Sequence, residues 1–295
     1  MKALFIINPV AGGVGSVKRI REAVVEAFKS EDGIYEIQVA KAKGDTFKLS
    51  SGAVKRGYEA VIACGGDGTV HEAAGPLVKT DTMLGVIPCG SGNGFARSLG
   101  IPFDMAAGME LIKKWNARPI DAGVIGDRYF FSTAGMGFDA HLSKKYNDGF
   151  LSKRLRGLVP YFPLAALEFY KFKPRPLRMK MDNNILSETP FILTFANTER
   201  YGGQAVIAPG AIPDDGFLDV CTVPEIGLLE ALGLVKKLFN GQITAFKGYR
   251  RMRASSIDIQ GEGVNAVHAD GEPFQWQGDI SVRVLHKSLR VLTGC

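Results

Sequence analysis

The chain predicts an α/β domain with a parallel sheet, followed by a mostly antiparallel, β-sandwich-like domain. Three observations carry this expectation. Over the first 120 or so residues, apolar strand patterns alternate with helix patterns, as in a parallel sheet covered on both faces. Three of those strands run straight into glycine-rich turns. Beyond about residue 119 the alternation stops, and short strand-like runs follow, divided by turn residues such as Gly126-Asp127 and Asp182-Asn183-Asn184. At 295 residues the chain is long enough for two such domains.

In the first domain the expected strands are Ala3–Ile7, Tyr35–Val39, Ala60–Ala63 and Leu84–Ile87. The expected helices are Val17–Lys29, Thr46–Lys55, Val70–Val78 and Met105–Lys113, the last with Asp104 as its N-cap. The second domain is expected to hold strands at Val124–Ile125, Tyr129–Ser132, Leu177–Met181, Phe191–Ala196, Leu218–Val223, Ser256–Gln260 and Ile280–Leu285. Two helical interruptions are expected near Tyr161–Lys171 and Leu228–Phe239. The boundary falls near Arg118–Ala122, and the sequence holds no internal repeat.

The glycine-rich turns carry the functional reading. Ala60-Val61-Ile62-Ala63 ends in Cys64-Gly65-Gly66-Asp67-Gly68-Thr69, and a helix pattern opens directly behind it. Such a turn offers backbone N–H groups and the positive end of a helix dipole to phosphate. Asp67 is out of place in a pure anion cradle, and a metal ion or an acceptor hydroxyl beside the phosphate would explain it. Phosphoryl transfer needs those parts: phosphates held still, a cation, and a group to take the hydroxyl proton. Leu84-Gly85-Val86-Ile87-Pro88 leads likewise into Cys89-Gly90-Ser91-Gly92-Asn93-Gly94, and the first strand ends in Asn8-Pro9-Val10-Ala11-Gly12-Gly13. Ligands of open parallel sheets bind beyond the carboxyl ends of the strands, so these turns belong on one rim.

Composition sets the setting. Apolar residues make up 46% and charged residues 22%, as in a globular protein, and the longest apolar runs are too short to span a membrane. The four cysteines have no paired or metal-site spacing and the N-terminus lacks a secretory cleavage pattern, so a reducing, cytoplasmic location is expected. The net charge of +6 is uneven. From His141 to Lys180 ten lysines and arginines face only Asp148 and Glu168, interleaved with aromatic and aliphatic residues. This pattern suits an anionic membrane surface, and without a nucleic-acid motif beside it no nucleic-acid partner is expected. No P-loop, no Gly-x-Gly-x-x-Gly and no His-Glu-x-x-His is present, and the four histidines are scattered.

Asn8-Pro9 with Gly12-Gly13, Gly65-Gly66-Asp67-Gly68-Thr69 and Gly90-Ser91-Gly92-Asn93 together resemble the diacylglycerol kinase catalytic family, which includes bacterial lipid kinases, sphingosine kinases and ceramide kinases. Ser132-Thr133-Ala134-Gly135-Met136-Gly137-Phe138-Asp139, Ala208-Pro209-Gly210-Ala211, Asp214-Asp215-Gly216-Phe217-Leu218-Asp219 and Asp270-Gly271-Glu272-Pro273 extend the resemblance to the C-terminus. It implies a nucleotide-binding domain over residues 1–120, to which 289–295 return, a lipid-substrate domain over 121–288, and an active site in the cleft between them. It implies ATP and Mg2+ as cofactors and a lipid hydroxyl as acceptor, met at the inner membrane face. Asn8, Pro9, Gly12, Gly13, Gly65, Gly66, Asp67, Gly68, Thr69, Glu72, Ser91 and Asn93 would then cradle the nucleotide. Asp215 and the carbonyls of Ile212 and Phe217 match a structural magnesium site. Either Glu272 or Asp67 matches the general base.

The chain departs from the common bacterial pattern at three places. Gly94 stands where an acid often follows the asparagine, His71 stands where an asparagine precedes Glu72, and Ala40 or a neighbour replaces a threonine. These departures leave the acceptor lipid open. Two other readings share the glycine turns: an NAD kinase-like enzyme and a non-enzymatic nucleotide or lipid sensor. The oligomeric state is open, a homodimer included.

Overall fold

The computed structural model describes residues 1–13, 15–29, 33–148, 161–182, 184–261 and 264–294. The chain divides into a first unit, Met1–Ala122 with His286–Cys295, and a second, Gly123–Leu285.

The first unit is built on four parallel strands, β1 (Lys2–Ile7), β2 (Ile34–Val39), β3 (Ala60–Gly65) and β4 (Met83–Pro88), in the order β2-β1-β3-β4. Every residue of β3 and β4 is buried, as expected of central parallel strands covered on both faces. Helices α1 (Ser16–Phe28), α2 (Asp45–Lys55), α3 (Asp67–Ala74), α4 (Gly94–Ser98) and α5 (Met105–Lys113) connect and cover them. Ile20, Val24 and Phe28 of α1 join Met109, Leu111 and Ile112 of α5 in one core with Phe5, Ile62 and Ile87 of the sheet. Helix α2 packs on α3, where the buried Ser50 hydroxyl donates to the Ala73 carbonyl at 2.7 Å. Asp104 caps α5 by accepting from the Ala107 N–H at 2.9 Å, as its side chain and position predict.

The expected helix at Val70–Val78 opens three residues earlier, at Asp67. Gly66 is extended, so the chain turns from strand into helix with no intervening loop. The helix ends at Ala74 and tightens into a 3₁₀ turn, Gly75–Leu77, because Pro76 has no N–H to continue the ladder.

The second unit is entered through β5 (Ala117–Ile125). Strands β6 (Arg128–Phe130) and β7 (Thr133–Gly137), helices α6 (Phe138–Asp148) and α7 (Tyr161–Phe169), and strands β8 (Leu177–Met181), β9 (Asn184–Glu188) and β10 (Pro190–Ala196) follow. Next come the short pair β11 (Arg200–Gly202) and β12 (Ala205–Val206), then β13 (Leu218–Pro224) and helix α8 (Leu228–Phe239). The series closes with β14 (Arg250–Ala254), β15 (Ser256–Gly261), β16 (Val264–Ala269), β17 (Glu272–Gln277) and β18 (Ile280–Leu292). One antiparallel sheet runs β14-β13-β10-β7-β16-β17. A second antiparallel run is β18-β15-β8-β9. The two bury a shared core, Met136, Leu193, Phe195, Val220 and Val267 from one and Met179, Ile257, Ile259 and Val282 from the other, which makes the unit a β-sandwich.

The single strand expected at Tyr129–Ser132 is instead two, β6 and β7, parted at Phe131-Ser132. The N–H groups of Phe131, Ser132 and Thr133 point to the Asp270 carboxylate and are lost to the strand ladder. Helix α6 carries no strong amphipathic pattern and is not expected from the sequence.

Candidate functional site

Parallel pairing in the first unit sets the strand ends side by side: Ile7 pairs with Cys64, and Gly65 with Pro88. The three glycine-rich turns therefore leave one edge of the sheet together. They also touch. The Asn8 amide donates to the Thr69 hydroxyl at 2.9 Å, while its Oδ1 accepts from the Val10 N–H at 3.0 Å and folds the first turn back. A Cβ on Gly90 would lie 2.6 Å from the Gly66 Cα, so the second and third turns meet backbone to backbone. Gly12 has a φ of +78°, and a Cβ there would press on Ser16 and on Cys89, joining the first turn to the third.

Within this cradle Asn93 holds a left-handed conformation at the start of α4 and closes the third turn on itself. Its Oδ1 accepts from the Gly90 N–H at 3.3 Å and its Nδ2 donates to the Gly90 carbonyl at 2.6 Å. Asp67 sits in the first turn of α3, where the helix dipole favours a carboxylate, and accepts from the Phe95 N–H at 3.4 Å. Gly13, Pro9, Gly68 and Ser91 are exposed along the same turns. Thr69 is buried, held by Asn8 and by its own N–H to Gly66 O at 3.0 Å. A methyl on Gly65 would collide with Thr69, so that glycine serves packing. The Glu72 carboxylate accepts from the Gly44 N–H at 3.0 Å and so ties α3 to the start of α2.

Two arginines join the site without any sequence signal. Arg19 donates to the Gly12 carbonyl at 3.1 Å, and Arg97 to the Gly92 carbonyl at 3.3 Å. Each sets a guanidinium beside a glycine turn and adds positive charge where phosphates would lie. Their spacing follows no motif. Burial pushes the Cys64 and Cys89 thiols up, so both stay neutral and add no anion there.

In the second unit Asp270 and Gly271 form a two-residue hairpin between β16 and β17, both with positive φ, +48° and +82°. Glu272 is the first residue of β17, half-buried. Asp270 is an anchor: its carboxylate accepts from the N–H groups of Phe131 (2.9 Å), Ser132 (2.7 Å) and Thr133 (3.1 Å), and its own N–H donates to Thr133 O at 2.8 Å.

At the expected magnesium site, Asp215 with the carbonyls of Ile212 and Phe217, both carboxylate oxygens have protein partners. Asp215 Oδ2 is ion-paired with Arg253, and Oδ1 accepts from the Phe217 N–H at 3.1 Å. The Arg253 guanidinium also covers the Phe217 ring at 4.8 Å. In this structure Arg253 therefore supplies the cation at the Asp215 carboxylate, which would have to release it to hold a metal.

The basic stretch divides. Lys153, Arg154 and Arg156, with Phe150, Leu151, Leu155 and Leu158, lie outside the described residues. Lys144, Lys145, Lys171, Lys173 and Arg175 line a cavity of about 570 Å³ beside Phe172. Glu168, buried, bonds Lys171 at 3.0 Å and His141 at 2.9 Å, tying α7 to α6. No helix among the described residues is long and apolar enough to cross a membrane.

A parallel sheet whose strands end in three touching glycine turns, in one chain with an antiparallel sandwich, defines a two-unit protein with a candidate phosphate cradle. The chain belongs to the diacylglycerol kinase family: the diacylglycerol kinase catalytic domain matches residues 2–125, and the YegS C-terminal NAD kinase beta sandwich-like domain matches residues 132–293. It is 30% identical over 283 residues to a diacylglycerol kinase of Mycobacterium tuberculosis, covering 92% of this chain and 88% of that one. It is 26% identical over 274 residues to a diacylglycerol kinase of Bacillus subtilis, covering 92% and 89%. A crystal structure of a Bacillus anthracis diacylglycerol kinase shares its fold, with a TM-score of 0.75 over 99% of this chain and 97% of that one at 23% identity.

Proposed function

We propose that this protein is an ATP-dependent lipid kinase that moves the γ-phosphoryl group of ATP to a lipid hydroxyl, on a diacylglycerol or on a sphingoid or ceramide-type acceptor. The observation that carries the reading is the meeting of Gly66 and Gly90. It gathers backbone donors, a helix N-terminus and Asp67 at one point, as a polyphosphate requires. The relatives named diacylglycerol kinase supply the lipid side of the reading.

In this mechanism the turns at Asn8–Gly13, Gly65–Thr69 and Gly90–Asn93 hold the phosphates, and Arg19 and Arg97 offset their charge. Asp67, placed among those donors, is the residue that would hold the magnesium accompanying the nucleotide, whose charge further neutralises the phosphates. Glu272 is assigned the base. Its carboxylate takes the proton of the lipid hydroxyl as that oxygen forms its bond to the γ-phosphorus. The bond from γ-phosphorus to the bridging oxygen breaks, and its electron pair leaves with ADP. The basic stretch between Lys144 and Lys180 is assigned to an anionic membrane, at the inner face of the cytoplasmic membrane, where such a lipid resides.

Incubation with radiolabelled ATP and a panel of diacylglycerol, monoacylglycerol, sphingoid base, ceramide, phosphatidylglycerol and NAD tests the proposal. Label in a lipid supports it. Label in NAD alone replaces it with the NAD kinase reading, and no label in any acceptor with the sensor reading. Against NAD kinase stands Gly135, which follows Ser132-Thr133-Ala134 where that enzyme class would place a tyrosine; a Cβ at Gly135 would lie 2.4 Å from Asp139 Oδ2.

A further inference from the structure

Behind the Asp270-Gly271 hairpin lies a buried polar cluster that the mechanism above does not use. His268 on β16 is 3% exposed, and its Nε2 is 3.2 Å from Asp139 Oδ2 on α6. The same oxygen lies 3.3 Å from the Thr194 hydroxyl of β10 and 3.3 Å from the Tyr201 hydroxyl of β11, which also contact each other. Burial, then the Asp139 charge, pushes the Tyr201 phenol well up, so it remains a donor. Gly135 on β7 makes the cluster possible, since a methyl there would meet Asp139 Oδ2 at 2.4 Å and His268 Nε2 at 2.7 Å.

The cluster has one outlet toward the hairpin. An ionised carboxylate only accepts, so Asp139 fixes the ring proton on Nε2 and leaves Nδ1 of a neutral imidazole as an acceptor. Nδ1 is the atom that takes the Gly271 N–H, at 3.4 Å. The Gly271 carbonyl is held in turn by the buried Ser143 hydroxyl at 2.7 Å. The N–H and the carbonyl of the residue just before Glu272 are thereby both tied to side chains. With Asp270 anchored on three N–H groups, the hairpin tip has little freedom.

We propose that His268, held in one tautomer by Asp139, is a positioning residue for Glu272, aligning its carboxylate through Gly271 without touching substrate. This rests on the assignment of Glu272 as the base.

Two substitutions separate positioning from bulk stability. In His268→Asn the amide oxygen falls where Nδ1 lies and can still take the Gly271 N–H. In His268→Gln the amide reaches Asp139 but leaves Gly271 without its acceptor. His268→Gln is expected to lower kcat on lipid roughly 10–100-fold, the scale on which misplacing a reacting group costs turnover, with KM values within about twofold. His268→Asn is expected to retain kcat within about threefold, and amide exchange at Gly271 should quicken in His268→Gln alone. Equal kcat losses in both variants, or wild-type kcat in both, overturn the positioning role. Should His268→Gln fail to fold, Ser143→Ala carries the test, releasing the Gly271 carbonyl alone: a lowered kcat at unchanged KM supports the proposal, and wild-type kcat overturns it. Glu272→Gln separates the two layers. If it turns over at the wild-type rate the base assignment fails and the proposal with it; if it is inactive while the His268 and Ser143 variants are normal, the proposal alone fails.

Discussion

Gly66 and Gly90 meet with no side chain between them, and a methyl on Gly90 would sit 2.6 Å from the Gly66 Cα. Backbone cannot yield as a flexible side chain can, so Gly90→Ala must push the two turns apart. It is expected to lower stability by about 1–3 kcal/mol, as overpacking does, and to raise the KM for ATP. Gly68→Ala is the control, since nothing lies within 4 Å of a Cβ there, and thermal unfolding should be unchanged. Unaltered ATP kinetics in Gly90→Ala would show that the junction holds no nucleotide.

Asp67→Asn keeps an oxygen for the Phe95 N–H while removing the charge. Turnover is expected to fall by at least about a hundredfold, with the melting temperature within a few degrees of wild type. Full turnover in the folded variant would remove Asp67 from the chemistry.

Arg253 supplies the positive charge at Asp215. Thermal unfolding in EDTA and in magnesium, without nucleotide, should therefore give the same midpoint. Arg253→Met should cost about 0.5–1 kcal/mol, the range of a partly exposed pair. A magnesium-dependent rise in the midpoint that disappears in Asp215→Ala would restore the metal site.

The bond from His141, then that from Lys171, holds the Glu168 carboxyl below its ordinary value of 4.5. A depressed carboxylate contributes stability that is complete above its unfolded value and is lost as pH falls through the folded one. Unfolding midpoints followed from neutral pH down through the acid range should drop in wild type and drop less in Glu168→Gln, which starts lower. Parallel acid limbs would show that Glu168 adds nothing to acid sensitivity.

Reversing Lys144, Lys171, Lys173 and Arg175 to glutamate should weaken sedimentation with anionic vesicles, at roughly 1 kcal/mol per charge near the surface, and added salt should weaken it in wild type. Activity on a short-chain soluble lipid should survive while activity on vesicle-borne lipid falls. Equal losses on both substrates would make the basic stretch part of the catalytic machinery and not a docking face.

The alternation of strand and helix and the three glycine turns were legible because period and turn chemistry are local. The glycine turns could be placed on one rim because parallel strands leave no other arrangement. Their contacts were not legible: Asn8 on Thr69 joins residues 61 apart, and Arg19 and Arg97 serve carbonyls through side chains that follow no spacing rule. Glu72 reads from its motif as a nucleotide residue, yet its carboxylate bonds Gly44, a partner only the fold reveals. Asp215 shows the same limit, because Arg253 lies 38 positions away and only tertiary structure brings the guanidinium to it. The split at Phe131-Ser132 likewise depends on Asp270, far along the chain.

The last ten residues belong to the first unit. Val291 pairs with Leu84 beside β4, Leu292 enters the core, and Thr293 bonds Asn116 O at 3.0 Å. Asp121, wholly buried, accepts from the Lys287 N–H at 2.6 Å and from the His286 ring at 2.9 Å. A ribosome therefore makes residues 123–285 before the sheet of the first unit can be finished. Until then one edge of β4 and a socket for Leu292 stay bare. A gene fragment ending at residue 122 should yield an aggregating product, and coexpressing the tail as a separate peptide should not easily repair it. Translation order thus lets the first unit mature only after the second has been made.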